Sequence, residues 1–277
     1  YFFVGEALDL NSPTANSGEH LIEGNRFRSA FPQFFVAQVE IKNNTNTGSN
    51  IIVRNNVFRE YSNVAVLSTR SRNVTVTNNI FTASDTAANF RHISVNTKQR
   101  TLGAGQPPTP NSITITSNTF NSLNTNGAGV AIEFANHNDD AGSSEAFTGV
   151  QIGGAGALAN TFGPNHNTFL RLDENSGPSD SLFVWSIFPS TPMAPVADNF
   201  DMSENIYFVS ASGKRPADMD VDELYVLEDK IQHGIDFGDL GFATTKAGEA
   251  YVTDNSFVSP LTTSPSLQRA HDKISDG

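Results

Sequence analysis

Apolar and polar residues alternate in short bursts along the first two thirds of the chain, and each burst leads into the same polar–aromatic phrase. Val74-Thr75-Val76-Thr77 and Ile113-Thr114-Ile115-Thr116 set β-branched side chains on one face and Thr on the other. That is the period-two pattern of a strand with one buried face, in residue types suited to a pleated surface. Asn-x-Phe then follows. It occurs as Asn25-Arg26-Phe27, Asn56-Val57-Phe58, Asn79-Ile80-Phe81 and Asn118-Thr119-Phe120. A degenerate copy, Asn160-Thr161-Phe162, follows Val150-Gln151-Ile152 after a Gly/Ala insertion.

The five Asn positions, 25, 56, 79, 118 and 160, are 31, 23, 39 and 42 residues apart. The shortest interval is close to one coil of a stacked repeat architecture, and the longer ones are a coil plus inserted loops. Asn tolerates a left-handed backbone at a tight bend, and Asn side chains stacked coil on coil bond one another as a ladder. The Phe two residues later turns inward and stacks on its counterpart. A second strand follows, so each coil has at least two: Val64-Ala65-Val66-Leu67, His92-Ile93-Ser94-Val95 and Val130-Ala131-Ile132-Glu133-Phe134. Residues 98–111, 135–147 and 173–181, rich in Ser, Thr, Asn, Gly and Pro, are loops.

The character changes after about residue 200. Residues 201–212 read as a strand and 213–218 as a polar linker. Val221, Leu224, Leu227 and Ile231 have helix-compatible spacing, and Glu228, Asp229, Lys230 and His233 fall on that same helical stretch. Residues 250–253 read as a short strand. A last helix starts near Ser264, its N-cap, with Pro265 as the first residue. The organisation expected is therefore a repeat body over 1–212 and a C-terminal cap or junction over 213–277.

Composition sharpens this picture. Phe numbers 21 against a single Trp and five Tyr, as interior stacks without polar partners require. Lys plus Arg is 17 and Asp plus Glu 29, a net charge of −12. Such acidity repels phosphate backbones, which excludes nucleic acid as an expected partner. There is no cysteine, so neither disulfides nor thiolate metal sites occur. No apolar run approaches the roughly 18 residues of a membrane span. The chain opens on Tyr1-Phe2-Phe3-Val4 without an initiator Met or signal peptide, and is expected to be an excised or processed piece of something longer.

Over residues 20–210 the Asn-x-Phe coils resemble right-handed parallel β-helix repeat proteins of the pectate-lyase-like class. That resemblance implies an all-β solenoid and leaves activity open, because the fold hosts lyases, hydrolases, epimerases, adhesins and structural arrays. The tail is similar to junctions in large bacterial surface proteins that string β-helix modules in tandem. The similarity rests on residues 227–236, Tyr251-Val252-Thr253, Ser264-Pro265-Ser266-Leu267-Gln268-Arg269-Ala270 and Ser275-Asp276-Gly277. It implies an extracellular or cell-surface location and contact, end to end, with other copies or neighbouring modules.

Candidate chemistry is sparse. His137-Asn138-Asp139-Asp140 offers oxygens of the kind calcium takes, although charged loop tips are commonly just solvated. Arg91-His92, with Asp85 upstream, supplies the residue types of a polysaccharide lyase: a base, and carboxylates that hold calcium beside a uronate. No lyase signature joins them. Asp139-Asp140 is the single Asp-Asp pair, without the partner carboxylates of an inverting glycosidase. Asp173-Glu174 and His166 read as solvent-facing. The reading that follows is a structural or adhesive module whose product is the rod itself, with no cofactor. The alternative is a polysaccharide-active lyase, hydrolase or epimerase in which Arg91, His92, Asp139 and Asp140 converge on one face, with acidic polysaccharide as partner.

Overall fold

The computed structural model describes residues 7–11, 18–28, 37–42, 48–61, 63–69, 71–96, 111–135, 148–173, 199–238, 240–259 and 261–275. Among them the chain is mostly β, with two α-helices confined to the C-terminal part. Three parallel sheets carry the body. Sheet A holds seven strands: β1 (Leu8–Asn11), β4 (Ala37–Lys42), β7 (Val64–Thr69), β10 (Arg91–Asn96), β13 (Val130–Ala135), β16 (Thr168–Asp173) and β19 (Ile231–Gln232). Sheet B holds β2 (Gly18–Glu23), β5 (Ser49–Arg54), β8 (Val74–Thr77), β11 (Asn111–Thr116) and β14 (Thr148–Ile152). Sheet C holds β3 (Arg26–Arg28), β6 (Val57–Arg59), β9 (Ile80–Ala83), β12 (Thr119–Ser122), β15 (Thr161–Phe162) and β18 (Ile206–Tyr207). The chain visits A, B and C in turn, and through β16 each strand pairs with the one that last occupied its sheet. A short fourth sheet joins β17 (Phe200–Asp201) to β20 (Ala243–Thr244).

The register explains why these strands stack. Ile22, Val53, Val76, Ile115 and Ile152 align across sheet B, and Val39, Val66, Ile93, Ile132, Leu170 and Ile231 align across sheet A. Both columns belong to one core that runs from Ile22 to Tyr251. Sheet C contributes Phe27, Phe58, Phe81, Phe120, Phe162 and Tyr207 in register. Their rings follow one another at 4.9–5.3 Å. Burying each ring contributes roughly 2–3 kcal/mol, and each ring pair about 0.5–1.5 kcal/mol more.

Only two residues separate sheet B from sheet C in the first four passages. The first of the two is left-handed: Gly24 (φ 71°), Asn55 (57°), Asn78 (54°) and Ser117 (59°). The second is Asn25, Asn56, Asn79 or Asn118. Each of these Asn residues donates its backbone N–H to the Oδ1 of the next, at 2.9–3.0 Å, through Asn160 to Asn205. Each Nδ2 donates to the same Oδ1 at 3.0–3.2 Å. From Asn56 onward, Nδ2 also reaches the carbonyl of the sheet B core residue one passage earlier: Ile22, Val53, Val76, Ile115 or Ile152. The side-chain amide thus satisfies backbone groups that the bend removes from the sheet ladders.

Several local expectations need correction. The phrase read as one strand plus Asn-x-Phe is two strands of different sheets hinged at the left-handed residue, so each passage has three strands. The stretch read as one strand over 201–212 holds only the last residue of β17, a turn and then β18, because Asn205 and Tyr207 join the ladder and the ring stack. The first helix, α1 (Val221–Glu228), starts at a capping box in which Asp220 and Glu223 bond each other's backbone N–H, and it stops before Ile231, which pairs with Leu170. Residues 250–253 form no strand; Ala243–Thr244 does. The last helix, α2 (Leu267–Ser275), is capped by Ser266, whose Oγ accepts from Arg269 N at 3.3 Å, rather than by Ser264. Arg269 also donates to the carbonyls of Ile235, Ser256 and Ser264, which fixes α2 to the tail. No helix among the described residues is long and apolar enough to cross a membrane.

Position along the ladder sets the cost of losing an Asn. Asn79→Ala strands two buried donors of Asn56 and the Val53 carbonyl, and is expected to lower the unfolding free energy by about 3 kcal/mol or more. Asn25→Ala, at the exposed end, is expected to cost less than about 1 kcal/mol. Urea midpoints of the two variants check the ranking.

Candidate functional site

The polar side chains that could carry chemistry lie in three separate networks. The first is on sheet A. Ser94, Glu133 and Arg171 are register neighbours on β10, β13 and β16, on the face opposite the apolar column, since successive strand residues point to opposite sides. Glu133 Oε2 accepts from Arg91 Nε at 2.7 Å and from Ser94 Oγ at 3.0 Å. Oε1 accepts from Arg171 Nε at 2.9 Å and from Arg171 Nη2. The Arg91 and Glu133 side chains are 4% and 2% exposed, Arg171 25%. A carboxylate offers about four acceptor positions, and the donors of Arg91, Ser94 and Arg171 are enough to occupy them. A base needs a lone pair free for the proton it takes; this one has its lone pairs engaged.

The second network is internal. Register pairing on β10 passes from Arg91 to Ile93. His92 lies inward, in ring contact with Phe81, Phe90 and Phe120. Its Nδ1 meets the Tyr61 hydroxyl, its Nε2 lies 2.7 Å from His166 Nε2, and His166 Nδ1 lies 2.9 Å from Gly163 O. One proton arrangement satisfies this chain. A carbonyl only accepts, so His166 carries its proton on Nδ1 and accepts at Nε2; His92 donates from Nε2, and Tyr61 donates to His92 Nδ1. A second proton on His166 would set two N–H groups against each other, and one on His92 would take from the Tyr61 O–H its acceptor. Burial is the main cause that holds His92 well below its ordinary value and lowers His166 to about 4. Burial likewise pushes Tyr61 well above its ordinary value, so it stays a donor. Lys230 caps the group, with Nζ 2.6 Å from His166 O and 5.3 Å from the centre of the Phe169 ring.

The third network lies in the tail. His233 Nε2 donates to Glu228 Oε1 at 2.8 Å, and its Nδ1 accepts from Ala243 N at 2.9 Å. Asp236 Oδ2 accepts from His233 N at 2.7 Å, and burial raises Asp236 to about 6. The ring is 0% exposed and stacks on Phe242, so this network closes the turn between β19 and β20.

The sequence-predicted candidates do not form one site among the described residues. Arg91 and His92 are chain neighbours, yet they enter different networks on opposite faces of sheet A. Asp139 and Asp140 lie outside the described residues. His166, read as solvent-facing, is 1% exposed, and His233, read as helical, lies beyond α1. Asn25, Asn56, Asn79, Asn118 and Asn160 occupy the ladder, and Phe27, Phe58, Phe81, Phe120 and Phe162 the stack. The sequence reading missed Asn205 and Tyr207, although Asn205-Ile206-Tyr207 is the same phrase with Tyr for Phe. It also missed Glu133 and Arg171. Each sits singly among apolar residues, in Ile132-Glu133-Phe134 and Leu170-Arg171-Leu172, which is the available signal for a buried ion pair. Among the described residues no three His, Asp or Glu side chains gather closely enough to hold a metal ion.

Acid tests the histidine chain. In the unfolded chain both rings titrate near about 6.5, and in the folded chain they titrate lower. Below about pH 6.5 the unfolded state therefore binds more protons, and stability falls as pH falls toward 4. The slope is about 1.4 kcal/mol per pH unit for each histidine. Asp236, with its raised value, acts in the opposite sense below pH 6. Urea midpoints between pH 7.5 and 4.5 should therefore fall less steeply when Gln replaces both His92 and His166; equal slopes would refute the assignment. Glu133→Gln removes the charge that two arginines share and is expected to cost about 3–5 kcal/mol, read as a lower thermal midpoint. The chain matches no family model, and no curated protein or solved structure is similar to it.

Proposed function

We propose that the three sheets close into a right-handed parallel β-helix over residues 1–212 and that residues 213–277 form its cap or junction. In this reading the chain is an extracellular structural or adhesive module of a bacterial surface protein or filament, joined end to end to copies of itself or to neighbouring modules. Handedness follows from a general rule: a crossover between parallel strands of one sheet is right-handed in about 98% of cases. The cap is supported by Leu224, Leu227 and Ile231, which extend the same core.

The observation that carries the structural role is the state of the polar groups. Glu133 is spent on Arg91, Ser94 and Arg171, His92 and His166 on Tyr61, on each other and on Gly163 O, and His233 on Glu228 and Ala243 N, each with its hydrogen-bonding positions filled. Active sites hold groups poised for change; these are held against it. Among the described residues β1, β2 and β3 each pair on one side only, and an unpaired strand edge tends to acquire a neighbour.

Electron microscopy of the native protein tests the reading. Rods joined end to end are expected, and deletion of residues 250–277 is expected to give shorter assemblies or aggregates. Isolated monomers that cleave a uronate polysaccharide, with unchanged stability after the deletion, would overturn it.

A further inference from the structure

Asparagine is a thermolabile residue, and the body of this chain is built on a ladder of them. An Asn side chain is lost when the backbone nitrogen of the following residue attacks its Cγ. The attack needs an N–H with no other bond to keep and a following residue without a bulky side chain. The ladder meets neither condition. Asn56, Asn79, Asn118, Asn160 and Asn205 are followed by the β-branched residues Val57, Ile80, Thr119, Thr161 and Ile206. Each of those five donates its N–H to the carbonyl of the preceding ladder Asn, at 2.8–2.9 Å.

Asn126-Gly127, the single Asn-Gly pair of the sequence, meets both. It lies in the turn from β12 to β13. Asn126 is exposed, and its backbone N–H donates to Asn124 Oδ1 at 3.1 Å. Among the described residues its side-chain amide has no hydrogen bond, and the Gly127 N–H has no acceptor. Gly127 is left-handed, with φ 74°, which glycine adopts without penalty. A Cβ there would meet Asn167 Oδ1 at 2.9 Å, so the fold itself calls for a residue without a side chain. The turn is anchored on both flanks. Leu123 N–H donates to Ala83 O at 3.3 Å before it, and Ala128 and Gly129 donate to Asn165 O at 3.1 Å and Ala88 O at 3.2 Å after it.

We propose that Asn126 is a modification site, at which the chain deamidates itself through the Gly127 nitrogen. The Gly127 N–H gives its proton to a base in solution, and the nitrogen forms a bond to Asn126 Cγ. The Cγ–Nδ2 bond breaks, and Nδ2 leaves as ammonia. Water is the second reactant. It adds to either carbonyl of the cyclic imide and breaks that carbonyl's bond to the ring nitrogen. Opening at Cγ gives Asp. Opening at the main-chain carbonyl gives an isomer whose backbone runs through the β-carbon, with the α-carboxylate as its side group. Nothing is oxidised or reduced. Either product adds a negative charge to a chain that already carries −12, and the isomer lengthens the turn by a methylene. Exposed loop tips tolerate such change, and the bonds on both flanks hold the neighbouring strands in place.

The test incubates the full chain in heavy-oxygen water at mildly alkaline pH and follows each Asn by peptide mapping and mass spectrometry. Heavy oxygen marks conversion that takes place during the incubation. An endoproteinase that cuts before Asp, and not before its isomer, separates the two products. Conversion at Asn126 to both products is expected, at a rate that rises with pH. Asn56, Asn79, Asn118, Asn160 and Asn205 should stay intact over the same period. The rate at Asn126 in urea should be close to that in the folded chain, because the fold leaves this pair open. Asn126→Gln should remove conversion at this position and leave the circular dichroism spectrum unchanged. An intact Asn126, equal conversion at the ladder positions, a rate independent of pH, or strong suppression by folding would overturn the proposal. Asp without its isomer would overturn the part assigned to Gly127.

Discussion

The corner between sheets B and C has to turn the chain in two residues without leaving buried backbone groups unpaired. A left-handed residue makes the turn, and an Asn behind it supplies a donor and an acceptor where the sheets cannot. The rest of the body depends on this arrangement. Once Asn56, Asn79, Asn118, Asn160 and Asn205 are fixed one behind another, the residue two places on is fixed as well, so Phe58 through Tyr207 fall into register and the sheet B core residues align ahead of them. Fully satisfied polar chains in a low-dielectric interior reinforce one another. Here the chain lies beside an aromatic column that excludes water from it.

What could be read from the sequence is what this corner makes local. Strand, Asn and Phe fall within eight residues of one another in four of the copies, and the pattern survives changes in loop length. The division of that phrase into two sheets was not legible, because a two-residue bend interrupts neither the alternation nor the β-branched composition. The fifth copy shows the limit. Residues 153–159 intervene between Ile152 and Asn160, yet Asn160 returns to the ladder, so space rather than spacing decides its place. Tyr207 hid the sixth copy for a simpler reason: its hydroxyl bonds Met202 O at 2.9 Å and so can be buried like Phe.

The polar networks were illegible for a different reason. Arg91 and Glu133 are 42 residues apart, and His92 and His166 are 74 apart. Such pairs depend on which strands become neighbours and on the lengths of the intervening segments. Single-strand alternation also fails at His92, which turns inward although Ile93 beside it does too. A titratable residue next to a charged one suggested shared chemistry; the fold separates them by the thickness of a sheet. In the tail, Ser264 and Ser266 flank a proline and compete for one cap, and tertiary bonds of Arg269 place the helix at the second.

The pairing pattern also has a mechanical meaning. Hydrogen bonds of all three sheets, and of the ladder, run from one three-strand unit to the next, along the direction in which the units stack. A pull applied across the two terminal units therefore opens these bonds by peeling, one unit at a time, instead of shearing whole strands past each other. Each unit that detaches frees the residues between successive ladder positions, from 23 to 45 of them. Such a chain under load lengthens in unequal steps, set by its loop insertions, while the units that remain keep their core.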